Sequence, residues 1–181
     1  MGKALLGIIL GIFITAIYIM NSAGSLMFNE IESPFGVEET AARIQANVQS
    51  LAKNGWKLSG LRNPAKAVAF DGGNVMPVLL VEACSTQYSG PILKDSNTQI
   101  LSLLMPCSIA VYKKDNGKVY VGMMNSGLLG QLFGSKVAGI MKKVEADQKV
   151  FVTFDPSKPA PPLIKIKPGG GGAGGNDQGG C

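Results

Sequence analysis

The chain has 181 residues, a net charge of +5, three cysteines and no histidine. This length accommodates one ordinary domain with appendages. The lack of histidine excludes Ser-His-Asp and Cys-His catalytic arrangements, and three cysteines are too few for a disulfide scaffold. Basic residues are not interleaved with aromatic residues as in a nucleic-acid groove, so we expect no nucleic-acid partner.

An uncharged, proline-free apolar run occupies residues 4–20. As a helix it spans roughly 26 Å, close to the thickness of a bilayer's hydrocarbon core. Lys3 is the one charge before it, so we expect a single-pass anchor in the inner (cytoplasmic) membrane, with the N-terminus inside and the domain on the periplasmic or extracellular side. A cleaved signal peptide is the alternative. Gly7 and Gly11 form a GxxxG pattern, a candidate for helix packing that chance explains at least as well.

The folded body is predicted over residues 26–154, after an anchor and linker at residues 1–25. Its first half alternates between strands and helices. Apolar alternation and continuous apolar runs predict strands, and apolar spacing of three and four predicts helices. The predicted order is a strand at 25–33, a helix at 37–55, a strand at 56–63, a strand at 74–85 and a weak helix at 91–106.

The second half begins with a hairpin. The segments CSIAVYKK and KVYVGMMN flank Asn116-Gly117, and both turn residues tolerate positive φ. A second amphipathic helix is predicted at 126–148, followed by a last strand or an extended exit. This order predicts an α+β domain, with an antiparallel sheet and two main helices packed on one face, preceded by one transmembrane helix. Residues 155–181 are rich in proline and glycine and predict an extended or disordered tail.

Several motifs occur in a distinctive order: SPFGVEETAARIQANVQSLAKNGW, VEAC, MPCSIAVYKKDNGKVYVGMMN, LLGQLFG and GIMKKVEAD. In this order they resemble the domain of unknown function 302 family, over residues 26–154. The resemblance implies a compact α+β domain whose sheet packs against long helices. It also implies frequent dimers and occasional membrane-tethered, exported members. The biochemistry of that family is not established, so the resemblance supplies no activity.

The main candidate for chemistry is Cys84 with Cys107, because one ends a predicted strand and the other begins the next. Three interpretations stay open: buried small hydrophobic residues, a disulfide permitted by export, or a thiolate site. Met105, Met123 or Met124 would supplement such a site for a soft metal such as copper, or for sulfur chemistry. No resident cofactor is expected. Cys181 is by default an ordinary residue at the chain end, and a free thiol or an intermolecular link are the alternatives.

Glycines in the second helix are candidates for close helix packing rather than for phosphate binding, because Gly127, Gly130 and Gly134 match neither GxGxxG nor a Walker loop. Glu82 interrupts an apolar strand. If it faces inward, it needs a partner such as Arg62 or Lys57, and otherwise it faces water.

The leading hypothesis is therefore a non-enzymatic, membrane-anchored, exported binding or assembly module. It would serve as a homodimer or as an accessory subunit of a membrane complex. The alternatives are a thiol-based redox, soft-metal or sulfur-handling protein using Cys84 and Cys107, and a domain that binds an apolar lipid or quinone-like ligand.

Overall fold

The computed structural model describes residues 2–166, with side-chain surroundings from residue 6 onward. A long N-terminal helix is followed by an α+β body, as the sequence predicts. The elements in chain order are α1 (Gly2–Met27), β1 (Phe28–Ser33), α2 (Val37–Ser50), β2 (Trp56–Arg62), α3 (Pro64–Phe70), β3 (Val78–Ser85), α4 (Thr86–Leu93), β4 (Cys107–Lys113), β5 (Val119–Met124), α5 (Ser126–Gln131) and α6 (Ser135–Phe151). Two short 3₁₀ helices span Ala52–Asn54 and Gln99–Leu104.

The five strands form one antiparallel sheet in the order β1-β5-β4-β3-β2. The hairpin register pairs Tyr112 with Tyr120, on either side of the Asn116-Gly117 turn. Helices α2 and α6 cover one face, and their apolar stripes close a core with the inward side chains of the strands. The fully buried members of this core include Ala41, Ile44, Val48, Val81, Ile109, Val111, Val121 and Phe151.

Helix α1 is longer than its apolar run predicts, and it continues without a break to the first residue of β1. The segment after residue 20 contains no proline, and Ser25 Oγ bonds back to the carbonyl of Ser22 at 2.8 Å, so nothing interrupts the helix. The predicted start of the first strand at residue 25 is therefore three residues early. Within the described residues, Leu6–Met27 is the one helix long and apolar enough to cross a membrane.

The predicted second long helix is in fact two helices. Helix α5 ends near Gln131, and α6 begins at Ser135 after Gly134, whose φ of 86° is left-handed. The last-strand interpretation for the following segment is wrong, because α6 continues to Phe151 and the chain then leaves as an extended exit. Helix α3 was not predicted, although Asn63 caps it by accepting from the Lys66 amide at 2.8 Å.

After a turn at residues 156–158, the chain follows the domain to residue 166. The side chain of Gln45, fully buried on α2, donates to the Ile164 carbonyl and accepts from its amide, both at 2.9 Å. The Leu61 amide of β2 donates to the Ile166 carbonyl at 3.2 Å. Leu163, Ile164 and Ile166 pack against the core. This part of the tail thus belongs to the fold, whereas the glycine-rich end and Cys181 lie outside the described residues.

Candidate functional site

The two cysteines lie on neighbouring strands at the same end of the sheet. Cys107 opens β4 and faces Ala83 across the ladder, one position before Cys84 on β3. Cys107 is a free thiol, so the two cysteines are not joined in a disulfide. Burial raises the pKa of the Cys107 thiol to about 11. Because the thiolate is the nucleophile and the metal ligand, this environment disfavours chemistry at Cys107.

An apolar cavity of about 50 Å³ separates this end of the sheet from the helices above it. Its lining joins Cys84, Cys107 and Met105, three of the sulfur residues singled out in the sequence. The remaining walls come from the ends of β2 and β3, from α4, the second 3₁₀ helix, α5, the turn after it and α6: Trp56, Ser85, Tyr88, Ser89, Ile92, Leu101, Leu104, Leu129, Phe133, Val137, Ile140, Met141 and Val144. A cavity of this size holds a few water-sized groups, and the apolar walls favour a hydrophobic occupant.

The paired methionines after the hairpin do not join that cavity. Met123 is buried in the core, and Met124 lines a groove on the other face of the sheet. Among the described residues, no group of three or more Cys, Asp and Glu side chains is placed to hold a metal ion. The soft-metal set that the sequence allows is thus limited here to Cys107 and Met105, because Cys84 is disulfide-bonded.

A buried carboxylate beside the cavity is the polar feature that sequence reasoning missed. Asp147 on α6 accepts from Trp56 Nε1 at 2.7 Å, from the Tyr88 hydroxyl at 2.9 Å and from Asn54 Nδ2 at 3.1 Å. Burial and the bond to Asp147 raise the pKa of Tyr88 to about 12. The detectable signal was its position, because Asp147 lies three residues after Val144 on the apolar stripe of α6.

Glu82, the carboxylate that interrupts β3, is buried and forms an ion pair with Arg62. Gly60 on the adjacent strand makes room for it, because a Cβ at that position would collide with the Glu82 carboxylate. Glu82 lies on the same sheet face as Ser108 of the open groove, not on the core face, and its burial is compensated by Arg62 rather than Lys57. The glutamate joins β2 to β3 and is outside the cavity lining.

The sheet face opposite α2 carries a groove of about 770 Å³. Small residues form its floor, namely Ser108, Ala110 and Gly122, and Tyr112 closes one end beside Glu30. Lys114 bonds the Glu30 carboxylate at 2.7 Å, and this bond, with the Tyr112 hydroxyl, lowers the pKa of Glu30. The other end of the groove reaches Gly24 and Ser25, in the last turns of α1.

Asn125 connects α1 to the body. Its backbone amide donates to the Met27 carbonyl at 2.8 Å, and its side-chain amide donates to the Leu26 carbonyl at 3.0 Å. Its side-chain oxygen accepts from the Leu128 amide at 3.1 Å and so caps α5. One residue therefore satisfies the open carbonyls that end α1 and an open amide that begins α5.

The glycines of α5 face α6 of the same chain. A Cβ at Gly127 would collide with the Glu145 carboxylate, and one at Gly130 would lie 2.5 Å from Met141 Cβ. Gly134 forms the turn between the two helices. On α1, an added Cβ at Gly7 or Gly11 meets nothing within 4 Å among the described residues.

Comparison with known proteins agrees with this architecture. The family profile described as "Domain of unknown function DUF302" matches residues 29–152. The chain belongs to the DUF302 family. A solved structure of an uncharacterized conserved DUF302 protein from Bacillus stearothermophilus superposes with a TM-score of 0.62 at 17% identity, covering 70% of this chain and 96% of that one. At this identity the likeness establishes the fold alone. No curated protein matches the chain.

Proposed function

We propose that this DUF302 chain is a membrane-anchored, exported binding or assembly module without catalytic activity. The observation that carries the proposal is the direct joint between α1 and the body. Helix α1 enters β1 without a linker, and Asn125 bonds to its last two residues. An anchor fixed in this way holds the domain at a set height and orientation, as an accessory subunit of a membrane complex requires.

The groove on the open sheet face is the proposed partner surface. It starts at the last turns of α1 and continues over the small side chains of Ser108, Ala110 and Gly122. Small residues let a partner's backbone approach the sheet closely. A segment that leaves the membrane beside α1 would meet this groove directly, whether it comes from another protein or from a second copy.

Mild detergent extraction of the full chain from its native membranes, followed by native mass spectrometry, tests this proposal. We expect a stoichiometric complex or a dimer. Ser108 is exposed on the groove floor, so Ser108→Arg should dissociate it. Ser50→Arg, a change of the same kind at an exposed position on α2, is the control and should leave the complex intact. A lone monomer from the unaltered chain contradicts the proposal, as does a complex that survives Ser108→Arg.

The apolar cavity supports a second candidate, the binding of an apolar small molecule. Its walls are hydrophobic except where Tyr88, Ser85 and Ser89 contribute polar atoms. Native mass spectra of the gently purified chain should then contain an adduct. Val137→Leu, which fills part of the cavity, should reduce that adduct, whereas Val150→Leu on the exposed side of α6 should not. A chain that carries no adduct contradicts this candidate.

The thiol-based alternative has less support. It needs a reactive pair, but Cys107 has a raised pKa and does not pair with Cys84. The cavity beside Cys107 is also dominated by apolar walls, which stabilise the neutral thiol over the thiolate.

A further inference from the structure

Two stretches of the body share an unusual composition. Residues 96–112 and residues 119–135 contain no Asp, Glu, Lys or Arg. The first stretch includes the second 3₁₀ helix and enters β4, and the second leaves β5 and includes α5. The fold brings both to the end of the sheet where α1 arrives, because Phe28 pairs with Met124 there.

Large apolar side chains are exposed on these stretches. Leu103 is 79% exposed, Leu132 70%, Ile100 66% and Phe133 42%. Leu103 lines the same groove as Gly24 and Ser25 of α1. Leu132 lies one turn after Leu128, whose amide is capped by the residue that bonds the end of α1. We call these four residues (Ile100, Leu103, Leu132 and Phe133) the basal patch.

The opposite end of the sheet, at the hairpin, is charged. The hairpin turn lies between Lys113 and Lys118, and Lys114 and Lys118 form ion pairs with glutamates of β1. Six strand residues separate the two ends, which corresponds to about 20 Å at about 3.3 Å per residue. The body is thus polarised along its strands, with charge at the hairpin and apolar surface beside α1.

We infer that the basal patch contacts the lipid bilayer that α1 enters, so that the second 3₁₀ helix and α5 rest in the interfacial region of that leaflet. The inference rests on the proposed anchoring by α1. Moving exposed apolar side chains out of water is favourable, and moving charges close to hydrocarbon is unfavourable. An apolar surface without charges therefore suits contact with a membrane.

The bilayer is favoured as the occupant because the patch continues the surface of the anchor. The last residues of α1 and the first of β1, namely Leu26, Met27 and Phe28, are themselves 49%, 39% and 58% exposed. If α1 spans the membrane, its end lies at the interface by necessity, and the neighbouring patch lies at the same depth. Both stretches lack charged side chains, and the charged residues next to them in sequence at this end, Asp95 and Lys136, neutralise each other in an ion pair at 2.9 Å.

Photo-crosslinking of the full chain in vesicles of phosphatidylethanolamine and phosphatidylglycerol tests the inference. p-Benzoylphenylalanine replaces Leu103 or Leu132, one position per variant, and the adducts are identified by mass spectrometry. Phe70 is the matched control, because it is 91% exposed and apolar but lies on α3, whose other residues share a groove with the hairpin lysines. Ile14, in the middle of α1, reports insertion of the anchor.

We expect lipid adducts at positions 14, 103 and 132, with about tenfold less at position 70. Lipid adducts at position 14 but not at 103 and 132 overturn the inference and leave the anchoring intact. Protein adducts in place of lipid at position 132, which lies outside the partner groove, also overturn it, in favour of a partner on the patch. The absence of lipid adducts at position 14 overturns the anchoring itself, and the inference with it.

Discussion

Asp147 is a buried carboxylate that is stabilised by three neutral donors. Asn54 and Trp56, two residues apart where β2 begins, and Tyr88 on α4 converge on its two oxygens. Among the ion pairs of residues 2–166, none includes Asp147. Hydrogen bonds from the three donors therefore replace the water that would otherwise solvate the Asp147 carboxylate. Removing this carboxylate would leave the buried donors without an acceptor.

The titration of Tyr88 is the measurable consequence of this network. Its pKa rises from 10.0 to about 12, through burial first and then through the bond to Asp147. Because the pKa is raised in the folded state, the burial and bonding of the neutral phenol contribute stability that is complete below pH 10 and is lost as the pH rises through 12. In an absorbance titration of the phenolate, we expect Tyr88 and Tyr112, whose pKa is also about 12, to ionise late.

The variant Asp147→Asn separates the two causes of the raised Tyr88 pKa, burial and the bond to a carboxylate. It removes the negative charge but leaves the burial, so the pKa of Tyr88 should fall part of the way towards 10. Tyr88→Phe should remove one late transition and leave that of Tyr112. An unchanged titration curve in Asp147→Asn would show that the carboxylate has no influence on Tyr88.

Cys107 should react slowly with alkylating agents. Its pKa of about 11, against 9.0 for an unperturbed thiol, lowers the thiolate fraction at pH 8 about a hundredfold. We expect the iodoacetamide rate at Cys107, followed by peptide mass spectrometry, to be lower by at least that factor than in the unfolded chain. The rate should rise about tenfold per pH unit up to pH 10. A plateau below pH 9 would contradict the raised pKa.

At the scale of elements, local chemistry decided which parts could be predicted. The hairpin was predictable because Asn116-Gly117 defines its turn, and α2 because of its apolar spacing. The end of α2 was predicted too late, since the helix stops at Ser50 and a 3₁₀ turn continues to Gly55, whose φ is 77°. The break between α5 and α6 was not predictable, since Gly134 resembles the other glycines of the segment in sequence, and it is the tertiary position of α6 that requires the left-handed turn.

In the candidate site, too, features set by local sequence could be predicted and features set by tertiary packing could not. The proximity of Cys84 and Cys107 could be predicted, because one strand ends and the next begins near the same sheet edge. The Asp147 network could not, because its donors are separated by more than fifty residues from their acceptor and meet only through helix packing. Long-range convergence of polar groups leaves little trace in a single sequence.

The segment 155–166 is an element whose docking can be tested. Gln45 makes two hydrogen bonds to Ile164, each contributing about 1 kcal/mol. Gln45→Ala should therefore weaken docking by about 2 kcal/mol and speed hydrogen exchange at the Ile164 amide about thirtyfold. Gln49→Ala, at an exposed position on the same helix, is the control and should leave exchange unchanged. Equal exchange in both variants would show that Gln45 does not hold the segment.

For the whole molecule, charge is distributed unequally about α1. Lys3 lies in the first turn of α1, before its apolar span Leu6–Met27, and no Lys or Arg follows it until Arg43. The intervening residues carry four acids: Glu30, Glu32, Glu38 and Glu39. Orientation in a membrane is set by Lys and Arg near the ends of the helix, and these residues are retained on the cytoplasmic side. Only one basic residue is involved in this bias, but it lies on one side of the apolar span and no Lys or Arg lies near the other side.

This bias predicts that the body is exported. A C-terminal alkaline phosphatase fusion, which is active only outside the cytoplasm, should be active, and a matched fluorescent-protein fusion should be dark. Moving the charge should weaken the orientation, so Lys3→Glu combined with Asn29→Lys is expected to lower phosphatase activity and raise fluorescence, whereas Lys3→Arg should change neither. A bright, phosphatase-inactive unaltered chain would place the body in the cytoplasm and contradict the orientation. The basal patch would then have to rest on the inner leaflet.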